Sequence, residues 1–381
     1  MKSPKSILLF LFFGLLTTGA WAQARPTPAT SLPDKISATE FARFITEFSE
    51  PGGEFLSDNL ISNETAYLPV LSKLKELNAS GGAYIGVGPE QNFTYIAKIR
   101  PRIAFIVDIR HLAVTHHLLY KAIFHLSPDR SQFLARLLSR PVGKEKAPAA
   151  EAPVNELLAF FSKIASDEKL FAENLATIRK TIQDEFQFPL SEQDNKSLDY
   201  VYRHFRDEGL EIAYRVDGSW GNGSFPSLAE IIAQPDQNGK QGNFLASVED
   251  YEFVRGMHRK NLIIPVVGDF GGPKAISSIA AYLKKINVPL TAYYTSNVEQ
   301  YLFSNNVFAA FANNIKKLPL TEKSIFIRAA VGRWGHPAQL PGHRLTTLLQ
   351  YMNVFLKDFD DGLYESYNDL TTQHYIEIKR P

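Results

Sequence analysis

A chain of 381 residues that is 45% hydrophobic and 12% aromatic can bury a large core and exceeds one ordinary domain, so a main domain carrying an insertion is expected. Its 41 basic and 40 acidic residues leave a formal net charge of +1, which provides no global field to draw it to nucleic acid or to an anionic membrane. The absence of cysteine excludes disulfides, a thiol nucleophile, thiolate metal sites and a lipidated N-terminal cysteine.

Lys2 and Lys5 precede an apolar run over 7–16, and Ala20-Trp21-Ala22 follows, which reads as a secretory signal peptide over 1–22 with an A-x-A cleavage site. The run is too short for the roughly 20 residues that span a bilayer. No stable membrane span is therefore expected after cleavage, and the protein is expected to be exported, periplasmic or secreted. Residues 23–35 are proline-rich and read as an extended linker. Ser37 with Glu40 forms a capping-box signal ahead of Phe41, Phe44, Ile45 and Phe48 at helical spacing, and a second helical stretch covers 67–77.

Residues 81–110 read as strand, glycine turn, short helix and strand. Ala83, Tyr84 and Ile85 lead into Gly86-Val87-Gly88, and a second apolar run over 103–107 ends on Asp108, twenty residues past Gly88. That is where nucleotide-type folds place the acid that accepts hydrogen bonds from a ribose. The spacing predicts helices around 118–126 and 133–138. A stretch low in large apolar residues, 141–153, reads as a mobile loop, and 218–224 as a turn-rich connector. Helical patterns at 155–186, 191–208, 227–233 and 248–257 make 127–258 a mostly helical insertion between a first half-domain at 36–126 and a second at 259–381. The run over 261–267 reads as a fourth strand buried on both faces, followed by strands at 290–294, 324–329 and 374–379. The expected fold is α/β, a doubly wound, mostly parallel Rossmann-like sheet with a largely helical insertion.

A dinucleotide fingerprint needs three glycines. Here the third position is Gln91, and Glu90 puts a carboxylate in the first helical turn, where it would repel a pyrophosphate. NAD and FAD are thereby disfavoured, whereas S-adenosylmethionine, which has no phosphate and carries cationic groups, is compatible. At this point the chain resembles the class I S-adenosylmethionine-dependent methyltransferases through the Gly86-Val87-Gly88 turn and Asp108. The segments IGVGPEQNFTYIA, AFIVDIR, NLIIPVVGDFGGPKAI and SNVEQYLF resemble an uncharacterised bacterial family of methyltransferase-like proteins. One departure is Tyr84, where such methyltransferases carry an acid two residues before the first glycine.

The residues expected to bind S-adenosylmethionine or a similar small nucleoside are Gly86, Gly88, Glu90, Gln91, Asn92 and Asp108, joined by Asp269, Asn297 and Glu299 after later strands. One of Glu90, Gln91 and Asn92 is expected to serve only as a helix cap. His116 and His117 are adjacent, point about 100° apart on a helix and read as structural. His336 and His343 lie in a glycine- and proline-rich loop that reads as surface, with a lid carrying a general base as the alternative. No Gly-x-Ser-x-Gly elbow, Walker motif or His-Glu-x-x-His is present. Two functions are expected to compete: methyl transfer to an unknown acceptor, and an exported, non-catalytic protein that binds a small ligand or a partner and keeps the fold without the cofactor. A hydrolase using Asp269 and a histidine is a third.

Overall fold

The computed structural model describes residues 31–142, 147–216, 225–236, 238–331 and 335–378. The signal peptide, most of the linker, the 218–224 connector, Trp334 and part of the 141–153 loop lie outside them. Among the described residues no helix is long and apolar enough to cross a membrane.

Six strands form one sheet: β1 (Ala83–Gly86), β2 (Ile103–Asp108), β3 (Ile263–Val267), β4 (Leu290–Ser296), β5 (Ile325–Val331) and β6 (Leu345–Tyr351), in the order β3-β2-β1-β4-β5-β6. The first five pair in parallel, and β6 runs antiparallel to β5. Every residue of β1, β2 and β3 is buried. Helices cover both faces and leave these strands no wet side, which is why their sequences are continuous apolar runs. The chain is thus an α/β protein with a mostly parallel, Rossmann-like sheet.

Two expectations about strands are corrected. The 261–267 run is the third strand and lies at the sheet edge, hydrogen-bonded only to β2. Pro265 at its centre has no N–H to give a second neighbour, which suits an edge and not an interior position. The 374–379 segment forms no strand among its described residues. It touches β6 through one backbone bond, Ile376 N–H to Leu349 O at 2.7 Å, and the antiparallel strand of this region is β6.

Between β2 and β3 the chain is helical. The helix His111–Leu126 follows β2 and packs on β3 and on the helices Glu192–Glu208 and Val248–Arg259. Within that layer Lys121 is buried, bonded through Nζ to Asn261 Oδ1 at 2.6 Å and set over the rings of Phe41 and Phe186. Helix Ala38–Phe48 covers β3, with Ser37 accepting from Glu40 N–H as its cap. The irregular chain that follows runs across the carboxyl ends of the strands before helix Pro69–Glu76.

Candidate functional site

A cleft of about 350 Å³ opens at the carboxyl ends of β1 to β4. The strand order reverses between β1 and β4, and this crevice is where open α/β sheets bind ligands. Its volume falls in the range of roughly 300–1,000 Å³ usual for small-molecule sites. Of the expected residues, the cleft brings together Gly88, Gln91, Asp108, Asp269 and Asn297; Gly86, Glu90, Asn92 and Glu299 do not line it.

The glycine turn is built from inside. A Cβ on Gly86 would meet Asn92 Oδ1 at 1.9 Å and the Tyr84 hydroxyl at 2.7 Å, so this glycine admits side chains of its own chain and not a ligand. Asn92 is buried beneath the turn, where its amide donates to the carbonyls of Val87 (2.9 Å), Gly88 (3.0 Å) and Pro89 (2.8 Å) and its Oδ1 accepts from Tyr84 (2.9 Å). Its role is to fix the turn. Gly88, at φ +76°, faces the cleft, and its carbonyl accepts from His117 Nε2 at 2.9 Å. A carbonyl only accepts, so His117 carries its proton on Nε2. His117 and its neighbours His116 and Tyr120, whose rings stack on each other, belong to the core.

Asp108 lies on the cleft wall but does not await a ligand with an empty carboxylate. Arg110 grips it, Nε to Oδ1 at 2.9 Å and Nη2 to Oδ2 at 2.7 Å, and the Arg110 N–H adds a third bond to Oδ1. Burial alone would push this carboxyl up; the guanidinium outweighs burial and holds it below the usual carboxylate range. Oδ2 accepts one of these bonds, which leaves it a lone pair for a hydroxyl. Arg110 is anchored in turn on the carbonyls of Ser57 and Asp58.

Glu90 is turned away from the cleft. Its carboxyl accepts the Ser62 N–H at 3.1 and 3.3 Å, and burial raises it to about 7. The repulsion expected between Glu90 and a diphosphate therefore does not act directly across the cleft. What crowds the third fingerprint position is Gln91, whose side chain lines the wall and bonds Ser62, Glu64 and Tyr95. Glu64, unlike Glu90, does line the cleft, as Asp108 and Asp269 do. It is 1% exposed, and burial raises its carboxyl above the ordinary range.

Asp269 borders the cleft by a route other than the expected one, because it follows edge strand β3. Its Oδ1 accepts from Gly271 N–H at 2.8 Å, a turn bond. The adjacent helix Ala275–Lys285 has its N-terminus filled by Glu50, which accepts from the N–H groups of Asp269 (3.1 Å), Lys274 and Ala275 (both 2.8 Å), so an internal carboxylate holds that anion position. Asn297 precedes helix Val298–Ser304 and faces the cleft without capping it. Glu299 points into the core, paired with Arg328. His336 and His343 belong elsewhere: His336 sits near Thr371, while His343 Nδ1 meets Thr65 at 2.8 Å on a separate surface depression. Neither supplies a base to the cleft.

The site residues missed by sequence reasoning are Glu64, Arg110, Tyr294 and Ser296. Arg110 stood beside Asp108, and a guanidinium two residues from a strand-end acid was a readable signal. Glu64 stood in the polar string Ser62-Asn63-Glu64-Thr65, bounded by Ile61 and Ala66, with no periodicity to orient it. Among the described residues no group of three histidine, aspartate or glutamate side chains is arranged to hold a metal ion. Two segments, 60–152 and 151–378, match the model of a family described as "Domain of unknown function (DUF7790)". No curated protein matches the chain.

Proposed function

The chain belongs to the family of that domain of unknown function, and from this premise we propose that the switch-point cleft binds S-adenosylmethionine or a similar nucleoside, in a class I methyltransferase-like protein that passes the methyl group to an acceptor. The observation that carries the reading is the position of Asp108 at the end of β2 beside Gly88, both on the wall of the cleft. A strand-end acid next to a glycine turn suits a ribose diol. Asp108 stays ionised under the hold of Arg110 and keeps acceptor capacity. The aromatic and aliphatic walls from Phe55, Leu56, Tyr301 and Leu302 offer apolar surface for a base. S-adenosylmethionine supplies an electrophilic methyl on a sulfonium; the chain's share is to bind the nucleoside, orient it and exclude water.

Titration calorimetry with S-adenosylmethionine and its demethylated product tests this. Saturable heat is expected, with Asp108→Asn binding roughly 10–100-fold more weakly, the equivalent of a lost charged hydrogen bond. No heat up to millimolar ligand would sink the reading, as would full affinity in a folded Asp108→Asn protein.

The leader-like N-terminus, with Lys2, Lys5 and Ala20-Trp21-Ala22, favours a second reading. An exported chain would rarely meet a cytoplasmic cofactor, and the cleft would then serve a non-catalytic protein that binds another small ligand. Cell fractionation separates the two: a cytoplasmic chain favours the methyltransferase, a processed periplasmic or secreted one the binding protein.

A further inference from the structure

We propose that Glu64 is the cation-recognising carboxylate of the cleft, so that the site selects its ligand by a positively charged amino group as well as by the nucleoside; this rests on the nucleoside reading above. Glu64 arrives from the irregular chain before helix Pro69–Glu76, and three neutral donors fix its carboxylate. Oε1 accepts from the Tyr294 hydroxyl at 2.8 Å and from Ser296, while Oε2 accepts from the Gln91 amide at 3.2 Å. These donors come from the end of β4 and the first turn of helix Gln91–Ile99, the two walls of the switch-point crevice. Oε2, with one long bond, has acceptor capacity left.

Among the described residues Glu64 takes part in no ion pair, and the other titratable groups that face it are the Tyr84, Tyr95, Tyr294 and Tyr367 hydroxyls, with Glu90 beyond Ser62. Arg110, the cation of the cleft wall, is committed to Asp108. The wall carries the carboxyl groups of Glu54, Glu64, Asp108 and Asp269 against the single guanidinium of Arg110, an acidic excess that suits a positively charged group on the ligand. A buried carboxylate without a counterion is costly. A glutamine at 64 would keep the tyrosine and serine bonds that tie the segment down, so the acid has a use of its own when a cation arrives. Tyr84, in the strand position where the resembling methyltransferases carry an acid, offers no charge to a ligand.

S-adenosylhomocysteine has the ammonium but no sulfonium, and its desamino analogue keeps the nucleoside, thioether and carboxylate, so the pair isolates the amino group. The full chain is expected to bind S-adenosylhomocysteine at least tenfold more tightly than the analogue, and Glu64→Gln is expected to erase that preference while leaving the analogue's affinity unchanged. Equal loss for both ligands, or no loss for either, overturns the role of Glu64 and leaves the nucleoside reading standing. A wild-type chain that binds neither overturns both. A second measurement needs no variant: because burial favours the protonated carboxyl, an ammonium docking on it expels a proton. Binding heats of the wild type near pH 6 in phosphate and in bis-Tris are expected to reveal proton release with S-adenosylhomocysteine and none with the analogue. Equal release with both overturns the inference even if Glu64→Gln does not fold.

Discussion

Glu299→Ala is expected to lower the unfolding free energy by about 3–5 kcal/mol, the usual cost of removing one member of a buried ion pair. Glu299 is wholly buried, and both its oxygens accept from Arg328 Nε, at 2.8 and 2.9 Å, while Oε2 also accepts from Thr295. Arg328 is 2% exposed, lies over the rings of Phe326 and Phe355, and has a buried Nη2 with no hydrogen bond. Its Nη1 begins a polar chain through Gln350 (2.6 Å) to the Tyr364 hydroxyl (2.9 Å) and on to Asp358. Without Glu299 the guanidinium would remain in an aromatic interior with its charge unanswered. The pair Glu299→Leu with Arg328→Met is expected to recover most of the loss, since well-packed apolar replacements of buried pairs are often neutral. Urea unfolding measures both. A loss under about 1 kcal/mol for the single variant, or no recovery in the double, would show that the pair does not hold this part of the core. Ligand affinity is expected to be unchanged in Glu299→Ala, because this acid faces the sheet and not the cleft.

The case of Glu299 shows where sequence stops short of the site. Strand ends are legible, because β1, β2 and β4 announce themselves as apolar runs and residues just past them sit near the crevice; Gly88, Asp108 and Asn297 follow from that rule. Direction is not legible. Glu90, Gln91 and Asn92 are consecutive polar residues, yet the helix sends Glu90 to Ser62, Gln91 to the cleft and Asn92 under the glycine turn. Glu64 escapes because its segment has neither helical nor strand period and reaches the cleft only once the chain has folded over the sheet. The late strand was misread for a related reason. β6 carries Thr346, Thr347 and Gln350 in buried positions, so it lacks the apolar signature of an inner strand, whereas the 374–379 tail alternates like a strand and pairs hardly at all. Pro265 was the overlooked sign that the third strand belongs at an edge.

The largest pH effects are expected from groups buried in the wrong protonation state, and two variants separate opposing limbs. His258 packs against Phe124 and Phe93, and neither ring nitrogen has a hydrogen bond. Burial first, then nearby Lys121 and His117, hold it neutral well below its ordinary range. The folded state thus binds fewer protons than the unfolded state below pH 6.5. The contribution of this histidine is complete above pH 6.5 and drains away as pH falls, at about 1.4 kcal/mol per pH unit. His258→Phe removes the drain without breaking a side-chain bond, so relative to the wild type it is expected to gain about 2 kcal/mol on going from pH 8 to pH 5. Glu90 has the opposite sign. With its carboxyl raised from 4.5 to about 7 by burial, its contribution is complete below pH 4.5 and lost as pH rises through about 7. Glu90→Gln keeps an acceptor for the Ser62 N–H, and relative to the wild type it is expected to gain about 3 kcal/mol between pH 4.5 and pH 8. Chemical denaturation of the three proteins across pH 4.5–8 gives both slopes. If the variants shift stability equally at all pH values, the buried histidine and the Ser62-bound carboxyl titrate as they do in the unfolded chain. The opposite signs also mean that the wild type's own profile understates both effects, since the proton that His258 releases on folding is offset by the proton that Glu90 takes up where the two ranges overlap.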